Sequence, residues 1–179
     1  MKFTETKIAG SWIVDMELIQ DDRGFFSRAW CEEKFAAHGI TNRLSQANIS
    51  LSKFIGTIRG MHFQSGVHSE MKAVRCLRGG VFDVVLDLRP DSPTYCQWHG
   101  EELTAENRRM LVVPEGCAHG FQTLGEDSEM YYMMSKPYIE GNQSGVRYND
   151  PAFNICWPLG LSNISDRDAN YPDFKIADR

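Results

Sequence analysis

The sequence predicts a mainly all-β fold, a sandwich, jelly roll or barrel with a few short helices, and three observations carry that prediction. Short apolar alternations recur through the middle of the chain, each broken by turn residues. Only Glu32 to His38 reads as a convincing helix, and Gly39 follows it where a helix C-terminus favours glycine. At 179 residues the chain is long enough for one full core and too short for two, so residues 1–179 are read as a single domain.

The elements follow in order. Lys72 to Leu77 alternates, Gly79-Gly80 supplies a turn, and Val81 to Leu88 resumes with Phe82, Val84, Leu86 and Leu88 on one face; the spacing predicts a hairpin. Leu111 to Val113, Gly120 to Leu124 and Met130 to Met134 are further strands, with Pro114-Glu115-Gly116 and Gly125-Glu126-Asp127 as turns between them. Many short antiparallel strands with such turns are the mark of sandwiches and closed β folds.

Composition narrows the function classes. A net charge of −5 argues against a nucleic-acid surface, which needs clustered Lys and Arg. No apolar run approaches the roughly 20 residues that cross a bilayer. The start, MKFTETKIAG, lacks the apolar stretch of a secretion signal, so the cytoplasm is expected. Cys31, Cys76, Cys96, Cys117 and Cys156 form no CxxC pair and are odd in number, so they read as reduced, mostly buried thiols rather than a zinc knuckle or disulfide framework. Two Asn-Ile-Ser triplets, at Asn48 and Asn163, fit the glycosylation pattern but carry no weight without a secretion signal.

Three polar clusters interrupt the apolar pattern. In Thr57-Ile58-Arg59-Gly60-Met61-His62-Phe63-Gln64 a regular strand would put Arg59, Met61 and Phe63 on one face and His62 on the other; a bulge at Gly60 would bring Arg59 and His62 together. In Pro114-Glu115-Gly116-Cys117-Ala118-His119-Gly120-Phe121 a second histidine stands among small residues that let a ligand approach the backbone. Tyr131-Tyr132, with Tyr138 beyond, supplies proton donors or stacking surfaces, where the bland reading is aromatic core. Two histidines also raise a metal site, but the HxH pair usual there is missing, because Phe63 and Gln64 follow His62. Acid/base chemistry is the preferred reading. Arg23 and Lys72 add cations suited to phosphate and to a developing oxyanion.

The order of these motifs resembles the dTDP-4-dehydrorhamnose 3,5-epimerase family. The match runs from Asp22-Arg23-Gly24-Phe25-Phe26 through Gln46-Ala47-Asn48-Ile49-Ser50, Arg59-Gly60-Met61-His62-Phe63-Gln64, Val81-Phe82-Asp83-Val84 and Asp87-Leu88-Arg89 to Ala118-His119-Gly120-Phe121. It continues past Asn149-Asp150-Pro151 and Trp157-Pro158 to Ser165-Asp166-Arg167-Asp168, which covers nearly the whole chain. The resemblance implies a cupin-type jelly roll, a homodimer, and no metal or organic cofactor. It implies that His62 is the base, assisted by Asp168, and that Tyr132 is the acid on the opposite face of the sugar. Lys72 would lie near the sugar O4 and His119 beside the sugar, Arg23 and Arg59 would hold the diphosphate, and Gln46 and Asn48 would contact the nucleotide and sugar. Arg28, Tyr138, Gln143 and Arg167 complete the substrate-binding set.

Four positions depart from the family pattern. Arg28 stands where Glu is usual, Ala47 where Asp is, Gln143 where Glu is common, and Met133 where Lys often follows the tyrosine. These are expected mainly at nucleotide-contacting positions, so the chemistry would be kept while the base or sugar differs. The alternatives are a 3-only or 5-only epimerase, an enzyme for a CDP- or GDP-linked sugar, a non-catalytic sugar-nucleotide-binding cupin, and a metal-dependent cupin oxygenase.

Overall fold

The computed structural model describes residues 1–176. In chain order the first seven strands are β1 (Lys2–Glu5), β2 (Trp12–Asp15), β3 (Ile19–Asp21), β4 (Gly24–Phe26), β5 (Gln46–Ser52), β6 (Ile58–Gln64) and β7 (Lys72–Arg78). Then come β8 (Gly80–Asp87), β9 (Trp98–Thr104), β10 (Met110–Val113), β11 (Cys117–Thr123), β12 (Ser128–Met134) and β13 (Gln143–Gly145), with helices α1 (Glu32–Ala36) and α2 (Asp166–Ala169).

The strands form two facing antiparallel sheets and a small hairpin. One sheet runs β1-β2-β10-β7-β12-β5, the other β13-β6-β11-β8-β9, and β3-β4 stands apart. Val74, Leu111 and Met130 from the first sheet pack on Val81, Val85, Leu103 and Phe121 from the second, which is the mainly β sandwich expected from the alternations. α1 closes against the outer face of the first sheet through Phe35, which is fully buried with Val14, Met110 and Val112. Its end is set by Gly39 in the left-handed region (φ 77°), where the Ile40 N–H donates to the Phe35 carbonyl at 3.0 Å.

The hairpin expected from Lys72 to Leu88 does not form. β7 pairs with β10 and β12, whereas β8 pairs with β11 and β9 in the other sheet. Alternation specifies which side chains share a face, not which strand lies alongside. β8 is covered on both faces, with Asp83 and Asp87 buried among its apolar residues, and so takes a central place in its sheet. Its inward Val81 and Val85 join the inter-sheet core, and its outward Phe82, Val84 and Leu86 pack with Met61, Val146 and Phe153 beneath residues 146–174. Gly79 (φ 71°) makes the step between sheets, and a Cβ there would come within 2.6 Å of Ser128 Oγ.

One smaller expectation changes. Only Cys76 and Cys117 are buried, and desolvation pushes their thiols up to about 11 and about 12; Cys31 and Cys96 are half-buried and Cys156 is exposed. Among the described residues no helix is long and apolar enough to cross a membrane.

Candidate active site

Alternate residues of facing strands open into a cavity of about 770 Å³ between the two sheets. Gln46 and Asn48 of β5, Lys72 of β7 and Tyr132 of β12 line it from the first sheet, and Arg59 and His62 of β6 and His119 of β11 from the second. Tyr138 and Gln143 follow from the chain beyond β12, and α2 brings Arg167 and Asp168. Residues two apart on one strand share a face, so the period that builds the core also builds the site.

Strand β6 breaks that period, as its glycine suggested. His62 stands opposite His119, and Arg59 opposite Phe121, so β6 carries one residue more than β11 over the same span. The extra residue falls at Gly60-Met61, where the peptide bond is cis, and it turns both Arg59 and His62 into the cavity while Met61 is fully buried on the other side. No side chain fits at Gly60. Its φ is 128°, and a Cβ would lie 2.5 Å from the Cα of Gly120.

The bulge also exposes the Gly60 N–H, which donates to Asp168 Oδ2 at 3.1 Å, while Asp168 Oδ1 lies 2.7 Å from His62 Nε2. Burial raises the Asp168 carboxyl, but the hydrogen bond and charge of His62, the Gly60 N–H and Arg167 outweigh it and hold the group below its ordinary value. A carboxylate only accepts, so His62 Nε2 carries the proton and Nδ1 is the nitrogen left to accept one. Arg167 Nη2, 3.2 Å from the same Nε2, is a donor facing a donor; its hydrogen bond is to Gln143 Oε1 at 2.7 Å.

A second pair lies beside the first. His119 Nε2 is 2.9 Å from Asp83 Oδ1, and Asp83 is fully buried with Oδ2 unpartnered. Desolvation raises the Asp83 carboxyl against the opposing pull of His119 and Lys72.

On the facing wall the Lys72 ammonium donates to the His62 carbonyl at 3.1 Å and pairs with Glu70 Oε1 at 3.0 Å. Burial raises the Tyr132 phenol, with Arg59 opposing, so the group holds its proton at neutral pH. His62 and Tyr132 therefore approach the cavity from opposite sheets, one able to take a proton and the other to give one. Gln46 Nε2 donates to Asn48 Oδ1 at 2.9 Å, Gln46 Oε1 accepts from the Tyr138 N–H at 3.0 Å, and Arg59 reaches across to Ser52 Oγ at 2.9 Å.

Two expected contacts lie elsewhere. Arg23 is exposed on the β3-β4 turn, paired with Asp21, and Arg28 is exposed beside Cys31; neither lines this cavity. Of the four departures from the family pattern only Gln143 faces it, because Ala47 is exposed on the outer side of β5 and Met133 is buried against the α1 layer. Asp83 and Glu70 were missed as site residues. Asp83 had a signal, a charge set inside an otherwise apolar strand, whereas the role of Glu70 depends on Lys72 returning alongside it. Among the described residues no group of three or more His, Cys, Asp and Glu side chains is placed to hold a metal.

Comparison with known proteins bears on this site directly. Residues 5–175 match the family model described as dTDP-4-dehydrorhamnose 3,5-epimerase. The protein of that name from Sinorhizobium fredii is 40% identical over 173 residues, 96% of this chain and 89% of that one. A dTDP-4-dehydrorhamnose 3-epimerase from Streptomyces niveus is 39% identical over 94% of this chain and 81% of its own. The Bacillus anthracis 3,5-epimerase structure, with TDP and pyrophosphate bound, superposes with a TM-score of 0.93 at 38% identity, covering 97% of this chain and 99% of that one. With a model match over nearly its full length and relatives near 40% identity, the chain belongs to the dTDP-4-dehydrorhamnose 3,5-epimerase family.

Proposed function

We propose that this protein epimerises a dTDP-linked 4-keto-6-deoxyhexose at C3, C5 or both, without a metal or organic cofactor, as a step of deoxysugar biosynthesis in the cytoplasm. One observation carries the reading: a carboxylate-backed histidine on one sheet faces a buried phenol on the other across a single cavity. A C–H next to a ketone is acidic because its conjugate base delocalises onto oxygen. His62 Nδ1 takes that proton, the Lys72 ammonium stabilises the enolate oxygen, and Tyr132 delivers a proton from the far side, which inverts the carbon. Oxidation state is unchanged throughout, so no hydride carrier takes part.

Incubation with dTDP-4-keto-6-deoxyglucose in deuterated water, followed by NMR, tests this. Deuterium at C3, C5 or both, with inversion at each labelled carbon, is the expected result, and the absence of exchange at both carbons would overturn it. Label at C3 alone would favour the second reading, a 3-epimerase, which the similarity to the Streptomyces niveus enzyme of that name supports.

Homodimerisation accounts for Arg23 and Arg28. Both sit near a hairpin whose Ile19, Phe25 and Phe26 are 50–69% exposed, and Ile49 and Leu51 of β5 are exposed as well. A second copy covering these side chains could bring the two arginines to its own bound diphosphate, and light scattering at twice the monomer mass would support that arrangement.

A further inference from the structure

We propose that Glu70 is a positioning residue: it fixes the Lys72 ammonium so that a single N–H is left for the substrate oxygen. This rests on the epimerase reading above for the identity of that oxygen, but not for the positioning itself. An ammonium has three N–H donors. One goes to the His62 carbonyl at 3.1 Å and one to Glu70 Oε1 at 3.0 Å, which leaves the third. Lys72 lines the cavity, so the remaining donor and the histidine base are tied to each other through the backbone of His62.

Glu70 can act this way because it is itself held. Its other oxygen accepts from Gln64 Nε2 at 3.1 Å, and Gln64, only 2% exposed, accepts the Ile139 N–H on Oε1 at 2.9 Å. The backbone on either side is pinned too. Ser69 Oγ accepts the Gly116 N–H at 2.9 Å, and the Met71 N–H donates to Ser135 Oγ at 2.8 Å.

Stability does not explain the arrangement. The Lys72 and Glu70 side chains are 8% and 3% exposed, and taking two charges out of water costs about as much as their attraction returns, so an apolar pair would serve the core as well. Placement at the cavity wall does explain it. A donor aimed before the substrate arrives needs no rearrangement when charge develops on the enolate oxygen.

The experiment compares Glu70→Leu, Glu70→Asp and Glu70→Gln. Glu70→Leu removes the acceptor, Glu70→Asp withdraws it by one methylene, and Glu70→Gln keeps a carbonyl oxygen that can receive Lys72 while its NH2 takes the place of the oxygen beside Gln64. In the ligand-free protein, the Lys72 ¹⁵Nζ signal, assigned by its loss in Lys72→Arg, reports hydrogen exchange. Exchange should quicken at least about tenfold in Glu70→Leu and Glu70→Asp and stay near the parent rate in Glu70→Gln, because a fixed ammonium is shielded from water. In turnover, kcat should fall by about thirtyfold in Glu70→Leu and less in Glu70→Asp, with KM little changed, since the aimed donor acts on the transition state. Glu70→Asp keeps the test alive if Glu70→Leu does not fold. Parent-like exchange in both Glu70→Leu and Glu70→Asp, or in the one that folds, would overturn the proposal. Altered exchange in a protein whose parent has no epimerase activity would overturn the epimerase reading and leave the positioning intact.

Discussion

Two histidine–carboxylate pairs face one cavity from neighbouring strands, and they differ in what surrounds the carboxylate. Asp168 receives His62 and the Gly60 N–H and is held below its ordinary value, whereas Asp83 receives His119 alone, leaves Oδ2 unpartnered and is raised by burial. The chemistry of the side chains is the same and the environment is not. Hydrogen bonds and charge from His62, the Gly60 N–H and Arg167 keep the buried Asp168 ionised, a partner suited to the base proposed at His62. The dry site of Asp83 makes charge costly there, so the two carboxylates offer their histidines different partners.

The largest expected effect breaks the comparison at the histidines. His62→Ala should lower deuterium entry at the carbons beside the ketone by roughly 10²–10⁴-fold, the usual worth of a general base. His119→Ala should cost no more than about a hundredfold, as for a single positioned donor. Equal losses would mean that the two pairs share the base role.

Tyr132→Phe comes next. Exchange should survive while inversion falls steeply, because His62 can return its proton to the same face but a phenyl ring cannot donate from the other. NMR in deuterated water reads label and configuration separately, and full epimerisation by the variant would remove Tyr132 from the mechanism.

The carboxylates sharpen the contrast through pH. Asp168 is depressed below its ordinary 3.8, so its stabilisation is present above about pH 4 and lost as pH falls through the folded value. Asp83 is raised above 3.8, so the folded state prefers its protonated form and loses that preference as pH rises through the folded value. Melting curves should therefore show Asp168→Asn falling behind the parent as pH rises towards about 4 and staying behind by a constant margin above it, and Asp83→Asn gaining on the parent as pH rises above about 4. Parallel curves for the two variants would show that burial does not distinguish the pairs.

The smallest effect lies outside the cavity. Arg28→Glu, which restores the charge the family pattern has there, should alter the calorimetric preference among dTDP, UDP, CDP and GDP by about 1–3 kcal/mol. Unchanged binding of all four would make Arg28 an ordinary surface residue.

The chemistry-bearing motifs were legible because each sits on a short strand with its own local signal. The glycine in Arg59-Gly60-Met61-His62 announced the bulge, and the cavity residues Lys72, Tyr132 and His119 follow the period of their strands. Partnership between strands was not legible. Nothing local distinguishes a hairpin across Gly79-Gly80 from a crossing between sheets, because both need the same turn residue. The burial of Asp83 and the pairing of Glu70 with Lys72 depend on that partnership, so they stayed hidden with it.

Asp168 is 106 residues from His62 along the chain, and it arrives with the same segment that lays Val146, Phe153 and Phe174 over the outer face of β8. During synthesis both sheets can emerge with every strand in place while the histidine still lacks its carboxylate and the outer cluster stands bare. Competence for proton transfer and burial of that apolar surface then come together, late, as one event. A protein halted at the end of β13, at Gly145, would be inactive and sticky at once, which makes it an easy target for quality control.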